Sequence, residues 1–316
     1  MRTRFPLIPL ALLLCVVPAA RADVTLRYTS DVQFASFLPS EVLDTFQKSM
    51  KGNLTGGSQT IRMKGNKGYT SAGKFLFIVD FDKQELTMMD GENKRVAVLP
   101  AGQYSERMVA SMPKMPDEAR KAFDSMKVSF DSHKTGRTDV IQGVQAEERE
   151  AVLSIEMPVP GGDQMMPMMK MVMQIWTAKP EEALRVQAIR ELTGYNLWTS
   201  YFMNPAESLG KMFGGMPGLG KGMTAMFDDM SKNKAIMLRT QMSVYSSFFG
   251  QLAQKMQKEG KLLPASFDPD APIVQMKQEA AELSTAPIED SIFQIPQGYA
   301  TAPMEDLMKT LVQPKL

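Results

Sequence analysis

The sequence predicts an α+β fold built on an antiparallel sheet. Short strand-like runs separated by Gly-, Asn- and Asp-containing turns fill the segment Gly56–Pro100, and connections this short join only antiparallel neighbours. Within this segment, Phe75–Val79 is apolar at every position, which predicts a strand covered on both faces. The earlier run Gln59–Lys64 alternates apolar and polar residues, which predicts a strand with one buried face.

Residues 1–22 have the pattern of a secretory signal peptide. Arg2 and Arg4 precede an apolar run, and Ala20–Ala22 provides a small-residue cleavage site. The apolar run is shorter than the roughly 20 residues that a membrane-spanning helix needs. We therefore expect an exported, periplasmic protein without a transmembrane segment in the mature chain, residues 23–316.

The only cysteine, Cys15, lies inside this predicted leader. Cleavage would leave no disulfide, thiol nucleophile or thiolate metal ligand. The alternative is a lipoprotein, because Leu12–Cys15 loosely resembles a lipidation motif. The leader also carries three arginines, so the formal net charge of +1 becomes slightly negative in the mature chain. Nothing in this charge balance points to nucleic acid as a partner.

The flanking segments continue the α+β pattern. Alternation over Asp23–Phe34 predicts the first strand, and one apolar face over Glu41–Met50 predicts a helix. The segment Gly56–Pro100 is predicted to be an antiparallel meander. Its strands are Gln59–Lys64, Tyr69–Ala72, Phe75–Phe81, Glu85–Asp90 and Lys94–Leu99.

Past the meander, prolines and alternation mark further elements. The predicted helices are Tyr104–Met112, Asp117–Met126, a helical stretch over Pro180–Tyr201, Pro205–Phe213, Met223–Met230, Ser247–Glu259 and Pro303–Leu311. The predicted strands are Lys127–Arg137, Ala146–Met157, Met169–Ala178, Lys234–Tyr245 and Ile292–Ile295, whereas Ile273–Ser284 fits a strand or a helix. A turn over Thr138–Gly143 is expected between the first two strands. With no Pro/Gly/Ser-rich linker to divide it, residues 23–316 are expected to form a single domain with a helical insertion near residues 180–230.

Three motifs resemble a family of bacterial exported proteins of unknown function. They are the meander with its Ile61–Gly65 core, the turn segment Thr135–Ala146, and the terminal Phe293–Tyr299. Through that family the chain is similar to the periplasmic outer-membrane lipoprotein carrier. The resemblance implies a half-barrel, in which a curved antiparallel sheet holds helices against its concave face around an apolar cavity. It supplies no functional residue, and Pro180–Met230 departs from it.

Methionine is unusually frequent, with 28 residues, and is densest in the segment 165–173. Three interpretations apply. Thioethers could bind copper(I), which prefers soft ligands. Flexible thioether side chains could line a cavity for varied apolar ligands. Methionine could also stand in for leucine in an ordinary core, which is the default interpretation.

From these observations we predict a non-catalytic protein of the cell envelope that binds an apolar small molecule, a lipid or a lipidated protein. The candidate ligand-binding residues are Phe75, Phe77, Met171, Met173 and Trp176. No catalytic residue, cofactor or metal ligand is predicted. The alternatives are a structural or stress-related envelope protein with a filled core, and an uncharacterised hydrolase.

Two other motifs do not carry a function by themselves. Residues 214–222 resemble a phosphate-binding loop, but Gly222 stands where that motif needs Ser or Thr. The only histidine, His133, neighbours Asp131 and Ser132. On a strand Asp131 would share its face and Ser132 would point away, so a catalytic triad is not expected.

Overall fold

A computed structural model of the 316-residue chain describes residues 23–36, 38, 43–44, 58–111, 125–158, 165–202, 222, 224–226, 228–229, 232, 235–247, 268 and 270–312. Its main feature is one open sheet of 12 strands in the order β12-β6-β5-β4-β3-β2-β1-β11-β10-β9-β8-β7. The strand pairs are antiparallel except that β12 runs parallel to β6. The expected α+β class with a large antiparallel sheet is confirmed.

The strands are β1 (Val24–Phe34), β2 (Gln59–Lys64), β3 (Lys67–Ala72), β4 (Phe75–Asp80), β5 (Glu85–Asp90), β6 (Arg95–Pro100), β7 (Lys127–Ile141), β8 (Val144–Pro158), β9 (Met165–Ala178), β10 (Met237–Ser246), β11 (Val274–Ser284) and β12 (Ala300–Thr301). The α-helices whose bounds fall within the described ranges are α1 (Tyr104–Ser111), α2 (Glu182–Arg185), α3 (Gln187–Phe202) and α4 (Met304–Val312).

The predicted meander is confirmed, with strand bounds within two residues of those expected from the sequence. The segment 273–284, for which the sequence left strand and helix open, is the strand β11. The predicted helix Glu41–Met50 (apart from residues 43–44), most of Asp117–Met126, and the predicted helices Pro205–Phe213 and Ser247–Glu259 (apart from Ser247) lie outside the described residues.

The turn between β7 and β8 is shorter than predicted. Residues 138–141 were expected to be turn, but they pair with residues 144–147 as strand. The turn itself is only Gln142-Gly143, and both residues have positive φ, at 51° and 74°. Two consecutive left-handed residues define the tight hairpin turn whose twist matches that of the flanking strands, so the strands extend to its edge.

The prediction of a strand at Ile292–Ile295 is wrong. Asp290–Phe293 instead forms a 3-10 turn. Phe293 is buried there in a cluster with Ile78, Met89 and Val96 of the meander. The segment thus covers one face of the sheet with side chains instead of extending its edge.

The central strand β4 is covered on both faces, as its apolar sequence predicted. Phe75 and Val79 pack with Leu307 of α4 on one face, whereas Ile78 packs with Phe293 on the other. Leu307 is fully buried, and Met108 of α1 belongs to the same cluster. Helices α1 and α4 therefore lie on the same face of the meander.

Helix α3 packs on that face as well. Tyr195 lies over Gly68 of β3, its hydroxyl lies 3.2 Å from Thr70 Oγ1, and its ring centroid lies 5.9 Å from that of Phe81. Gly68 pairs directly with Val79, and Val79 belongs to the buried cluster that contains residues of helices α1 and α4. Burial raises the pKa of the Tyr195 hydroxyl, so the group is a neutral hydrogen-bonding partner.

Gly68→Ala is expected to destabilise the protein by about 1–3 kcal/mol, because it overpacks this contact. A Cβ at Gly68 would lie 2.5 Å from Cε2 of Tyr195, so the ring must move. The matched control is Gly194→Ala in the neighbouring helix position, where a Cβ meets nothing within 4 Å. That change should stabilise α3 by up to about 1 kcal/mol. Thermal unfolding measures both, and a Tm of Gly68→Ala at or above that of the wild type would contradict the packing.

An ionic network ties the β7–β8 hairpin to the middle of the sheet. Arg239 of β10 donates to Asp139 of β7 at 2.7 Å and to Glu279 of β11 at 3.1 Å. Hydrogen bonds from Arg239 hold the pKa of both carboxyls below their usual range. A lowered folded-state pKa contributes stability above the unfolded pKa of about 4, and this stability is lost as the pH falls through the folded value.

Arg239→Gln is therefore expected to make the loss of stability below about pH 5 shallower than in the wild type. Urea unfolding at a series of pH values between about 5 and 2 measures the difference. If the unfolding free energy fell with the same slope against pH in the variant and in the wild type, the network would not contribute to acid unfolding.

Candidate ligand-binding face

The half of the sheet formed by β1, β11, β10, β9, β8 and β7 has two unlike faces. Directly paired residues on neighbouring antiparallel strands point to the same face, so the register defines rows that cross all six strands. Two such rows carry mostly apolar side chains, and we call them together the apolar face. The first row is Phe34, Val274, Val244, Met171, Leu153 and Phe130, and the second is Val32, Met276, Met242, Met173, Ala151 and Ser132.

The opposite side of the same strands is polar. Its rows are Gln33, Gln275, Ser243, Val172, Val152 and Asp131, followed by Asp31, Lys277, Gln241, Gln174, Glu150 and His133. We call this the polar face. An antiparallel sheet with one solvated face shows this alternation, so the apolar face is the side built for contact with other apolar groups.

Exposure distinguishes the apolar face from the core under α3. Leu26 and Leu238, which pack with α3, are 1% and 0% exposed. Met173, Met242 and Met276, by contrast, are all partly exposed. The apolar face therefore keeps apolar area that the described residues do not fully cover.

A third row bounds the apolar face with polar groups. It contains Ser30, Gln278, Thr240, Ile175, Arg149 and Lys134. Arg149 donates to Asp229 and to Ser132, and the Ser132 hydroxyl lies 3.4 Å from the Asp229 carboxylate. An amphiphilic ligand on the apolar face would meet hydrogen-bonding groups along this side.

A helical segment lies at the β7 end of the apolar face. Of its described residues, Met226 packs against the cluster of Val128 and Leu153, to which Met171 also packs. Gly222 approaches so closely that a Cβ there would lie 2.5 Å from the carbonyl oxygen of Val128. Gly222, the only described residue of the segment 214–222, thus makes a close helix–sheet contact.

The five predicted site residues lie in three places. Phe75 is buried and Phe77 partly buried between β4 and the α1–α4 helices. Met171 and Met173 lie on the apolar face, with five strands between β4 and β9 in the sheet order. Trp176 belongs to the other side of β9, where the Arg239 guanidinium lies 5.4 Å from its ring centroid. Of the five predicted residues, only Met171 and Met173 therefore lie together on the apolar face.

Sequence reasoning missed the rest of the apolar face. Met242 and Val244 come from β10, and Met276 comes from β11. The alternation of Leu238, Thr240, Met242 and Val244 with polar residues was a visible signal in the sequence. Alternation shows that a strand has an apolar side but does not show which strands become neighbours.

His133 lies on the polar face together with Asp131, as expected for alternate residues of a strand. Its Nδ1 is 3.6 Å from the carboxylate of Asp131, and both side chains are more than half exposed. Ser132 points to the other face and contacts Arg149. The three residues do not form a catalytic triad.

One further concave site lies on the polar side, between β1, β11 and the β7–β8 turn. It has a volume of about 420 Å³ and is lined by groups that include Asp31, Gln142, Lys277 and Glu279. Its charged lining does not suit an apolar ligand. In the described part of the chain, no three His, Cys, Asp or Glu side chains are grouped as metal ligands.

The fold and the apolar face define a sheet-based protein in which half of a 12-stranded sheet is amphipathic. Compared with known proteins, the chain matches no protein-family model and no curated protein sequence. Among the helices within the described ranges, none is long and apolar enough to cross a membrane.

Proposed function

We propose that this chain is a non-catalytic binding protein of the bacterial cell envelope, which holds an apolar ligand or the acyl chain of a lipidated partner on the apolar face. The observation that carries the proposal is the pair of apolar rows across six strands, whose methionines stay partly exposed. Exposed contiguous apolar surface is unfavourable in water and is typical of a binding site.

Burial of an acyl chain on such a face would provide useful affinity. Each buried CH2 group contributes about 0.8 kcal/mol, so an acyl chain that buries about ten of them gains about 8 kcal/mol. This free energy corresponds to about micromolar binding, before the cost of ordering the chain is subtracted.

The side-chain chemistry supports a ligand of variable shape. Met171, Met173, Met242 and Met276 are unbranched, and methionine repacks around irregular apolar groups more readily than leucine does. The polar row beside them, with Thr240 and Gln278, would receive the hydrogen-bonding end of an amphiphile. A lipid or fatty acid fits this arrangement better than a wholly apolar molecule.

The finer architecture belongs to the same proposal. In it, the sheet curves as a half-barrel around α1, α3 and α4, and the chain is an exported relative of the periplasmic lipoprotein carrier. The support for this part is the leader-like pattern of residues 1–22, the three sequence motifs, and the common face on which these helices pack.

Native mass spectrometry of the processed protein, purified from a bacterial envelope after expression of the full chain, tests the proposal. We expect a reproducible adduct whose mass, after organic extraction, is that of a lipid or fatty acid. A bare protein mass, together with no uptake of added fatty acid or phospholipid, would overturn it.

The second candidate function is a structural envelope protein with a filled core. The packing of Met226 on Val128 and Leu153 favours it, since this helical segment covers one end of the apolar face. An apolar fluorescent dye distinguishes the two functions: a filled core leaves the dye unbound in the native state, whereas a binding face takes it up and releases it to added lipid.

A further inference from the structure

Three methionines come from three neighbouring strands and stand side by side. Met173 of β9 pairs directly with Met242 of β10, and Met242 pairs directly with Met276 of β11. Directly opposed residues on an antiparallel sheet have Cβ atoms about 4.5–5.5 Å apart and point to the same face. The three thioethers therefore share one small area, although 103 positions separate the first and the last in sequence numbering (173 to 276).

The side chains can converge on one point. Each methionine has three rotatable bonds, so the sulfur atoms can approach one another without a change in the backbone. The second row continues with Val32 on one side and Ala151 on the other, and the alanine leaves space beside Met173. Met171, two positions along β9 on the same face, brings a fourth thioether within diagonal reach.

The chemistry of three thioethers selects a narrow class of ligand. Thioether sulfur is soft and uncharged, so it suits copper(I) and not magnesium, calcium or manganese, which prefer oxygen ligands. Zinc sites are built from Cys, His, Asp or Glu, and the described residues hold no group of three such side chains. All three methionines are partly exposed, which distinguishes them from methionines sealed in the core.

We propose that Met173, Met242 and Met276 form a binding site for a single copper(I) ion on the apolar face. The ion binds as copper(I) and leaves as copper(I), so no electron transfer is involved. The site does not depend on the proposed lipid binding, because its ligands are the sulfur atoms and not the surrounding apolar area. A bound ligand and the metal would compete for the same face.

A second methionine cluster provides a matched control. Met88, Met108, Met304 and Met308 belong to one cluster between the meander and the α1–α4 helices. They are 0–8% exposed, and their surroundings are closed to solvent. These four thioethers differ from the three of the proposed site in their access to solvent, so they should not exchange copper(I).

The test is a competition titration of the processed protein with bicinchoninate, a coloured copper(I) chelator, in the presence of ascorbate. We expect the wild type to withdraw one equivalent of copper(I) from the chelator. The variant Met173→Leu/Met242→Leu/Met276→Leu should no longer remove copper(I) from the chelator, because leucine keeps the side-chain volume but has no sulfur. The control variant Met88→Leu/Met304→Leu/Met308→Leu should still remove it.

A second measurement uses only the wild type and does not depend on the folding of a variant. In protein labelled with carbon-13 at the methionine methyl groups, added silver(I), a redox-stable soft ion, should shift the three assigned methyl signals of this site at one equivalent. No withdrawal of copper(I) by the wild type, equal withdrawal by the first triple variant, or silver shifts confined to other methionines would each overturn the proposal. Lipid uptake measured without metal remains a separate result, so failure of one proposal does not imply failure of the other.

Discussion

Arg137→Ala is expected to lower the free energy of unfolding by about 3–5 kcal/mol, since it leaves a buried carboxylate without its counter-charge. The side chain of Glu148 is only 1% exposed, and Arg137 pairs with it through the guanidinium. The Thr135 hydroxyl donates a further hydrogen bond to the Glu148 carboxylate at 3.1 Å. Arg137 itself is 57% exposed, so its own removal creates no cavity in the core. Urea unfolding of the purified protein measures the effect.

The same two strands offer a matched control. Lys134 of β7 contacts Glu147 of β8 at 2.7 Å, but the two side chains are 66% and 29% exposed. Lys134→Ala should therefore change the unfolding free energy by about 0–1 kcal/mol. In the double variant Arg137→Ala/Glu148→Gln, the loss should be smaller than for Arg137→Ala alone, because an amide is less costly to bury than a carboxylate. Equal effects of Arg137→Ala and Lys134→Ala would show that burial of Glu148 does not matter.

Replacing Met173 and Met242 together with glutamine is expected to weaken the proposed lipid binding at least tenfold. Each glutamine places an amide where the proposed ligand would cover it, and burying an unpaired amide costs about 1–3 kcal/mol. A loss of about 1.4 kcal/mol corresponds to a tenfold change in Kd. Titration with a fluorescent fatty acid, with far-UV circular dichroism to check the fold, measures the change.

Val172→Gln is the control for that prediction. Val172 lies between Met171 and Met173 in β9, but it belongs to the polar face, where it pairs with Ser243 and Val152. The same amide introduced there should leave the Kd for the fatty acid unchanged. If Val172→Gln weakened binding as much as the methionine variant, the ligand would not lie on the apolar face.

Local sequence patterns were sufficient for most of the strands. The meander bounds, the two-sided burial of Phe75–Val79, and the helices over residues 104–111 and 304–312 followed from alternation, turn residues and helix periodicity. These features depend on interactions between residues close in sequence, which a single chain displays directly. The strand predicted at Ile292–Ile295 failed, because Phe293 is buried by contact with distant β4, β5 and β6 residues.

The candidate site was harder to predict. The sequence singled out Met171 and Met173 correctly as neighbours on one strand face, yet it grouped them with Trp176, whose side chain belongs to the other face. It also grouped them with Phe75 and Phe77, although five strands lie between β4 and β9 in the sheet order. Membership of a strand face can be read from alternation, but proximity between strands cannot.

By itself, the sequence determined the apolar side of most strands, the turns of the meander, and how rich in thioethers the chain is. Only the tertiary structure decided that β9, β10 and β11 are neighbours in a register that aligns Met173, Met242 and Met276. The physical reason is that strand pairing joins segments far apart in sequence through backbone hydrogen bonds, which every residue except proline can donate. The choice of partner and register therefore depends on the packing of the whole sheet.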